Sequence, residues 1–439
     1  MRVLITGIDG YLGFPLALSL GAKGHEVAGI DNELRRKLVK SEGSQSAIPI
    51  EMLWHRQNSY EKIFGKPLVV HGGDLAADNL EILDFIKRFN PDAIVYLGEI
   101  PSAPYSMKGR DGAIHTQYNN VLGTLNTLFA MQEVCPDAHL IKLGTLGEYG
   151  TPDCDIPEGH FPTGSQLHNS KSLGSGDWVA DISGMTFPKR ANSWYHLSKV
   201  HDSNNIEFAC RNWGLRSTDI MQGVVYGTRT DEMNWKTIDR SIAHKMQMDE
   251  APPFLDSTPN ENVRTRFDFD ECFGTAINRF CAQAVAGLPI TVYGEGKQKR
   301  GFLPLRDSIQ CMNLALENPP EKGEYRVFNQ FEEVYSIEQL AKIVRIIYNS
   351  EEWIGNIDNT FPAKIVHLEN PRNEAAEHYY NPVHQKLFDL GYKPTNDLRG
   401  QIKEMIEDLI PHRQRILDCK DVLMPKIGWD GKIEERKEL

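Results

Sequence analysis

The stretch RVLITGIDGYLGFPLALSLGAKG, residues 2–24, constrains the fold most. A β-branched apolar run stops at Gly7, apolar residues then recur at helical spacing up to Gly24, and glycines at 7, 10 and 13 fill the turn between. HEVAGID follows as the next strand and closes on Asp31. In such a strand–turn–helix unit Gly7 permits the tight turn and Gly10 lets the backbone approach a pyrophosphate. The helix start offers unpaired N–H groups with partial positive charge. Asp31 is placed to accept hydrogen bonds from both hydroxyls of an adenosine ribose, which favours NAD over a 2′-phosphorylated cofactor. Arg35 and Arg36 read either as solvated loop cations or as contacts to phosphate or adenine.

The alternation continues. KPLVVHGGDL reads as a strand, residues 78–89 as a helix, DAIVYLGE as a strand, 117–134 as a helix and HLIKLGT as a strand. Strands alternating with helices imply the α/β class: a doubly wound, parallel, Rossmann-type sheet with right-handed crossovers and ligands beyond the carboxyl ends of its strands. Asp74, Leu75, Leu97, Gly98, Glu99 and Thr145 all fall at such ends. After residue 223 the units shorten, with a helix near 272–286, a strand at ITVYG, a helix over 306–317 and another from Ser336, where Gln339 completes a capping-box pattern. This predicts a dinucleotide-binding domain over 1–223 and a smaller C-terminal α/β lobe over 224–439. The chain can cross between the lobes, and the ligand cleft lies between them. The end, GKIEERKEL, reads as a solvated tail.

Within SWYHLSKVHDSNN, Tyr195 and Lys199 stand four apart and so share one helix face. A phenol titrating near 10 is a poor base at neutral pH, so a nearby ammonium and a positive nicotinamide ring are needed to favour its phenolate. Thr145, ending a strand, can hold the substrate hydroxyl from which that phenolate takes a proton. Glu148 and His196 are candidates for the acid or base of a second step, against a solvated loop carboxylate and a packed helix residue as the plain alternatives.

A formal charge of −12 argues against a nucleic-acid binder. Seven scattered cysteines without a C-x-x-C pair suggest neither a disulfide framework nor a metal site. With no charged leader and no run of eighteen apolar residues, the expectation is a cytoplasmic protein without membrane insertion.

Thr145, Tyr195 and Lys199 form the active-site pattern of the extended short-chain dehydrogenases, and longer blocks narrow the likeness. DGYLG, SAPYSM, QYNNVLGTLNTLFA, KLGTLGEYGTP, YHLSKVHDS, QGVVYGTRTDE, FGTAINRFCAQAVAGLPITVYGEGKQKRGFLPLRD, EYRVFNQF and NPRNEAAEHYYN closely resemble the UDP-sulfoquinovose synthases. The resemblance implies a homodimer that uses NAD to turn UDP-glucose and sulfite into UDP-sulfoquinovose. The steps implied are oxidation at C4, loss of water across C5 and C6, addition of sulfite at C6 and reduction at C4. It implies cofactor contacts from Gly7, Asp9, Gly10, Tyr11, Leu12, Gly13, Asp31, Asn32, Arg35, Arg36, Asp74, Leu75, Leu97, Gly98, Glu99, Asn119, Thr145, Tyr195, Lys199 and Val225. It implies substrate contacts from Thr145, Tyr195, Gln222, Asn278, Arg279, Phe280, Cys281, Thr291, Val292 and Tyr293, with Arg300 and Arg372 on the diphosphate.

The chain also departs from the family pattern. Ile100 and Pro101 stand where the family usually has Gln-Arg, which removes a cation expected near the cofactor and the sulfite. Leu146 replaces methionine with little change of volume, and Met221 replaces asparagine. Residues 162–190 and 232–265 look inserted and read as loops able to cover the sugar site. Two other readings stand beside the synthase. One is a UDP-sugar 4-epimerase or dehydratase that does not use sulfite, although TLGE lacks the Asp-Glu pair usual in dehydratases. The other is a dinucleotide-binding regulator without catalysis, which the intact Thr, Tyr and Lys set opposes.

Overall fold

The computed structural model describes residues 1–77, 80–168, 179–236, 254–256, 260–350, 362–371, 378–425, 427 and 429. The apolar runs become seven parallel strands: β1 (Arg2–Thr6), β2 (Glu26–Asp31), β3 (Val69–Gly72), β4 (Ala93–Tyr96), β5 (His139–Thr145), β6 (Arg216–Gln222) and β7 (Tyr325–Gln330). Their spatial order is β7-β6-β5-β4-β1-β2-β3. The order reverses between β1 and β4, the point where a doubly wound sheet opens a crevice at its carboxyl edge. Alternate strand residues feed two separate cores. Val3, Ile5, Val95 and Ile141 pack with helices Gly13–Ala22, Leu53–Phe64 and Leu305–Glu317. Leu4, Ile94 and Leu140 pack with Leu80–Phe89, Gly123–Val134 and Trp194–Trp213 on the opposite face.

The helix expected over 117–134 is interrupted by one wide turn at Tyr118–Leu122, between helices Arg110–Gln117 and Gly123–Val134. β6 and β7 lay outside the expected strands. RSTDIMQ is polar in sequence, yet Ser217, Thr218 and Asp219 are buried and each finds a partner: Ser217 the Leu140 carbonyl, Thr218 the Arg326 guanidinium, and Asp219 Lys142 and Tyr325. β7 arises beyond residue 223, so the chain returns to the first sheet after building part of the second lobe.

That lobe holds a three-stranded sheet of Val224–Tyr226, Lys299–Pro304 and Glu333–Ser336, and the parallel pair Ile290–Tyr293 with Ile365–Leu368. Helices Ala276–Ala286, Ile337–Tyr348 and Leu398–Leu409 close around Phe280, Leu340, Val344 and Ile402. The expected box at Ser336 is present: the Gln339 N–H donates to Ser336 Oγ at 3.2 Å and the Ser336 N–H to Gln339 Oε1 at 2.8 Å. Both segments read as inserted loops contain short antiparallel pairs, Gln166–His168 with Val179–Asp181 and Trp235–Lys236 with Phe254–Leu255. Among the described residues no helix is long and apolar enough to cross a membrane.

Candidate active site

Two cavities meet at the carboxyl edge of the sheet. The larger, of about 390 Å³, runs along the glycine turn. Gly7 has φ of +68°, and a Cβ there would lie 2.6 Å from the Leu97 carbonyl oxygen. A Cβ on Gly13 would lie 2.4 Å from the Gly7 carbonyl oxygen, so only glycine lets helix Gly13–Ala22 begin this close to β1. No side chain caps that helix and its first turn carries no acid, which leaves its N–H groups to face an anion. At the end of β2, Asp31 accepts the N–H groups of Asp9 at 2.8 Å and Glu33 at 2.6 Å. Burial, reinforced by the neighbouring Asp9 carboxylate, pushes its carboxyl up to about 6. Arg35 lines the same end, 4.1 Å above the Phe273 ring and 2.8 Å from Asp268.

The corner that holds Thr145, Tyr195 and Lys199 is built by three elements. Thr145 ends β5 beside Gln222 of β6. Its Oγ1 accepts the Gly147 N–H at 3.2 Å, so its own proton can be donated into the cavity. Ser193 caps helix Trp194–Trp213 by accepting the His196 N–H at 3.1 Å, which sets Tyr195 and Lys199 on one face of its first turns. The Lys199 ammonium lies 6.0 Å from the Tyr195 ring centroid, donates to the Leu143 carbonyl at 2.6 Å and touches the Glu99 carboxylate. Burial drives the Lys199 pKa down while the charges of Asp202 and Asp219 oppose it. Burial, then the charge on Glu148, drive the Tyr195 phenol well above its ordinary value. The phenolate therefore depends on positive charge brought to this corner.

The second cavity, of about 300 Å³, lies on the far side of Thr145 and is lined by Arg279, Tyr293, Gln298, Arg300, Tyr380 and Trp429, among others. Thr145, His196 and Gln222 belong to both walls. A groove along the glycine turn thus abuts a pocket with arginine and aromatic side chains, and Thr145 stands on the wall between them.

The chain matches the model of the NAD dependent epimerase/dehydratase family over residues 3–250 and 261–329. It is 42% identical over 429 residues to UDP-sulfoquinovose synthase of Sulfolobus acidocaldarius, covering 98% of both chains. The chain belongs to the UDP-sulfoquinovose synthase family. The chloroplastic UDP-sulfoquinovose synthase of Spinacia oleracea is 41% identical, over 98% of this chain and 79% of its own. The solved UDP-glucuronic acid 4-epimerase of Bacillus cereus, in complex with UDP-glucuronic acid and NAD, aligns with a TM-score of 0.60 at 17% identity. That match covers 93% of this chain and 99% of the other and shows a shared fold.

In this family member most of the expected cofactor residues line the larger cavity: Gly7, Asp9, Gly10, Tyr11, Leu12, Gly13, Asp31, Asn32, Arg35, Asp74, Leu75, Leu97, Gly98, Glu99, Asn119, Thr145, Tyr195, Lys199 and Val225. Arg36 does not. Its guanidinium is engaged by Asp9 at 2.5 and 2.8 Å and by the Glu51 carbonyl at 2.7 Å. Asp9 in turn also holds the buried Arg56 at 2.6 Å.

Of the expected substrate residues, Thr145, Gln222, Arg279, Tyr293 and Arg300 reach the second cavity, and Tyr195 and Asn278 line the cofactor side. Phe280, Cys281, Thr291 and Val292 do not reach either wall. Each helical residue turns by about 100° and each strand residue flips sides, so Phe280, Cys281 and Val292 face the core while Thr291 Oγ1 accepts from Gln283 at 2.8 Å. Arg372 lies outside the described residues.

Glu148 is neither solvated nor at a cavity wall. It is fully buried and paired with Lys142 and Lys189. Although burial opposes it, the charges of Lys142 and Lys189 hold its carboxyl below the usual carboxylate range. The described parts of 162–190 and 232–265 line neither cavity; Met233 and Val263 pack instead into the core beside helix Gly13–Ala22. Ile100 is buried with Leu38, Val39 and Phe273, and with Pro101 it forms part of the wall of the larger cavity. The sequence reading missed Gln298, Tyr380 and Trp429 on the second wall. Trp429 sits near a terminus read as a tail, and its N–H donates to the Pro371 carbonyl at 3.2 Å.

Proposed function

We propose that the protein is an NAD-dependent enzyme that converts UDP-glucose and sulfite into UDP-sulfoquinovose and water. The observation that carries this reading is Thr145 at the junction of the two cavities, with Tyr195 and Lys199 beside it, in a chain of this family. The glycine turn, the uncapped helix start and Asp31 fit a dinucleotide: N–H groups for the pyrophosphate and a carboxylate for ribose hydroxyls. When bound, NAD accepts hydride from C4 of the sugar and later returns it. Tyr195 takes the proton of the C4 hydroxyl, Thr145 donates a hydrogen bond to that oxygen, and the Lys199 ammonium favours the phenolate. Once C4 is a carbonyl, the C5 proton becomes acidic and water can leave across C5 and C6. The sulfite sulfur then adds its electron pair to C6 of the resulting C5=C6 double bond, forming the carbon–sulfur bond as the π bond opens and C5 takes up a proton. Read backwards, the net change is hydrolysis of that bond, which puts the activity in the hydrolase class.

Arg279 and Arg300 are suited to the diphosphate by their guanidinium forks. A homodimer is part of the same reading. Ile114, Tyr118 and Leu122 form an exposed i, i+4, i+8 stripe, continued by Phe129, with Trp194 and Phe208 exposed on helix Trp194–Trp213. Contiguous exposed apolar faces of this kind mark subunit contacts.

The test is incubation with UDP-glucose and NAD, with and without sulfite, followed by mass spectrometry. A sulfonated nucleotide sugar made only with sulfite is the expected result. UDP-galactose or a stable 4-keto sugar in its place identifies an epimerase or dehydratase, an outcome to which the Pro101 position draws attention.

A further inference from the structure

Beneath Thr145 lies a closed set of ionised groups that lines neither cavity. The Lys142 ammonium, fully buried on β5, shares its three N–H donors among Glu148 Oε1 at 3.1 Å, Asp219 Oδ2 at 3.2 Å, Ser203 Oγ at 2.8 Å and the Lys199 carbonyl at 3.1 Å. Glu148 Oε1 also accepts the Thr145 N–H at 3.2 Å, while Glu148 Oε2 accepts from Lys189 at 2.8 Å and from Ser203 at 2.9 Å. Tyr325 of β7 donates to Asp219 at 2.7 Å. The turn after Thr145 is thus held from below by carboxylate and ammonium. From the side it is hemmed by the catalytic helix, because a Cβ on Gly147 would lie 2.4 Å from His196 Nε2.

A buried ion network rarely adds stability over an apolar filling of the same volume, and its best use is to impose one geometry. Here the geometry is shared by two reacting groups. Glu148 fixes the backbone of Thr145, Lys142 fixes the backbone of Lys199, and the two are joined to each other. Lys189, from the end of the inserted stretch 162–190, completes the charge on Glu148 with its side chain only 6% exposed.

We propose that Lys142, Glu148 and Lys189 are positioning residues for the C4 chemistry, a buried clamp that sets the Thr145 hydroxyl against the helix carrying Tyr195 and Lys199. This rests on the functional reading above. It replaces the idea of Glu148 as acid or base of the elimination: the carboxyl is walled off from both cavities, so no sugar atom comes within reach.

The test compares Glu148→Ala, Glu148→Gln and the charge-balanced pair Glu148→Gln with Lys189→Met. A glutamine oxygen still accepts the Thr145 N–H, whereas alanine leaves the turn unanchored. A displacement of about 1 Å at a reacting group costs about 100-fold in rate. Glu148→Ala is therefore expected to lose about 100-fold in kcat, with the UDP-glucose KM and the NAD Kd each within about threefold of wild type. The balanced pair is expected to stay within about tenfold of wild type. Equal loss in the alanine and both glutamine forms overturns the proposal in favour of a proton-transferring carboxyl. An alanine variant as fast as wild type overturns it as well. Should Glu148→Ala fail to melt cooperatively, the balanced pair alone decides, since only positioning predicts that it works. Absence of product from the wild type would sink the functional reading, a failure separate from these comparisons.

Discussion

Lowering the pH should weaken NAD binding through Asp31. Its carboxyl is pushed up to about 6 by burial and by Asp9, although the N–H groups of Asp9 and Glu33 pull the other way. Ribose hydroxyls donate to this group and so bind its ionised form. Near pH 7.5 almost all of the free protein carries that form, whereas near pH 5 about a tenth does. The apparent Kd for NAD should therefore rise about tenfold between them, roughly 1.4 kcal/mol. The sign also fixes a linked proton. The folded free protein holds a proton on Asp31 between about pH 4 and 6 that the unfolded chain releases, so this group's contribution to stability falls as pH rises through that window. NAD must displace that proton. Titration calorimetry at several pH values, in two buffers of different ionisation enthalpy, reads both the affinity and the proton. The same series on Asp31→Asn should be weaker and flat. A pH-independent Kd in the wild type, or an equal slope in Asp31→Asn, would refute the reasoning.

Tyr195→Phe should lower kcat by about 100- to 10,000-fold while calorimetry still finds NAD bound; normal turnover would remove the proton-transfer role. Gly13→Ala should abolish measurable NAD binding, because its Cβ would meet the Gly7 carbonyl oxygen at 2.4 Å; unchanged affinity would mean that the turn yields without cost. Asp408 gathers Thr228 at 2.6 Å, Arg229 at 2.8 Å and Arg264 at 2.9 Å, tying helix Leu398–Leu409 to the loop after Val224–Tyr226 and to the segment after Glu261–Val263. Asp408→Ala should cost about 3 kcal/mol in denaturant unfolding, and a loss under about 1 would contradict that view of the junction. Phe208→Glu should convert a dimer into a monomer in sedimentation velocity; a monomeric wild type would dismiss the proposed interface.

The first half of the sheet was legible because periodicity and glycine placement are local signals: β1 to β5 and the turn at Gly7 follow from them. β6 and β7 were not, since RSTDIMQ buries polar groups whose partners come from other strands, and β7 arrives after more than a hundred intervening residues. Thr145, Tyr195 and Lys199 were readable by residue type and spacing, and the fold brings all three to one cavity. The clamp was only half visible. A lysine inside HLIKLGT is an odd occupant of a buried strand, but its opposite number, Asp219, is identified only by the Lys142–Asp219 register of β5 on β6. Matching whole blocks overshot at Phe280, Cys281, Thr291 and Val292, because a helix or strand turns only some residues of a block to the cavity. Arg36 was misjudged for a related reason: Asp9, on the glycine turn, had already engaged its guanidinium.

The central claim is one active site that oxidises, sulfonates and re-reduces the same sugar. UDP-glucose carrying deuterium at C4, incubated with sulfite and NAD equimolar to the protein, tests it most directly. Mass spectrometry should find a sulfonated UDP-hexose in excess of NAD with the deuterium retained at C4. Product that has lost the label, or unsulfonated UDP-galactose or 4-keto sugar in its place, would contradict the account.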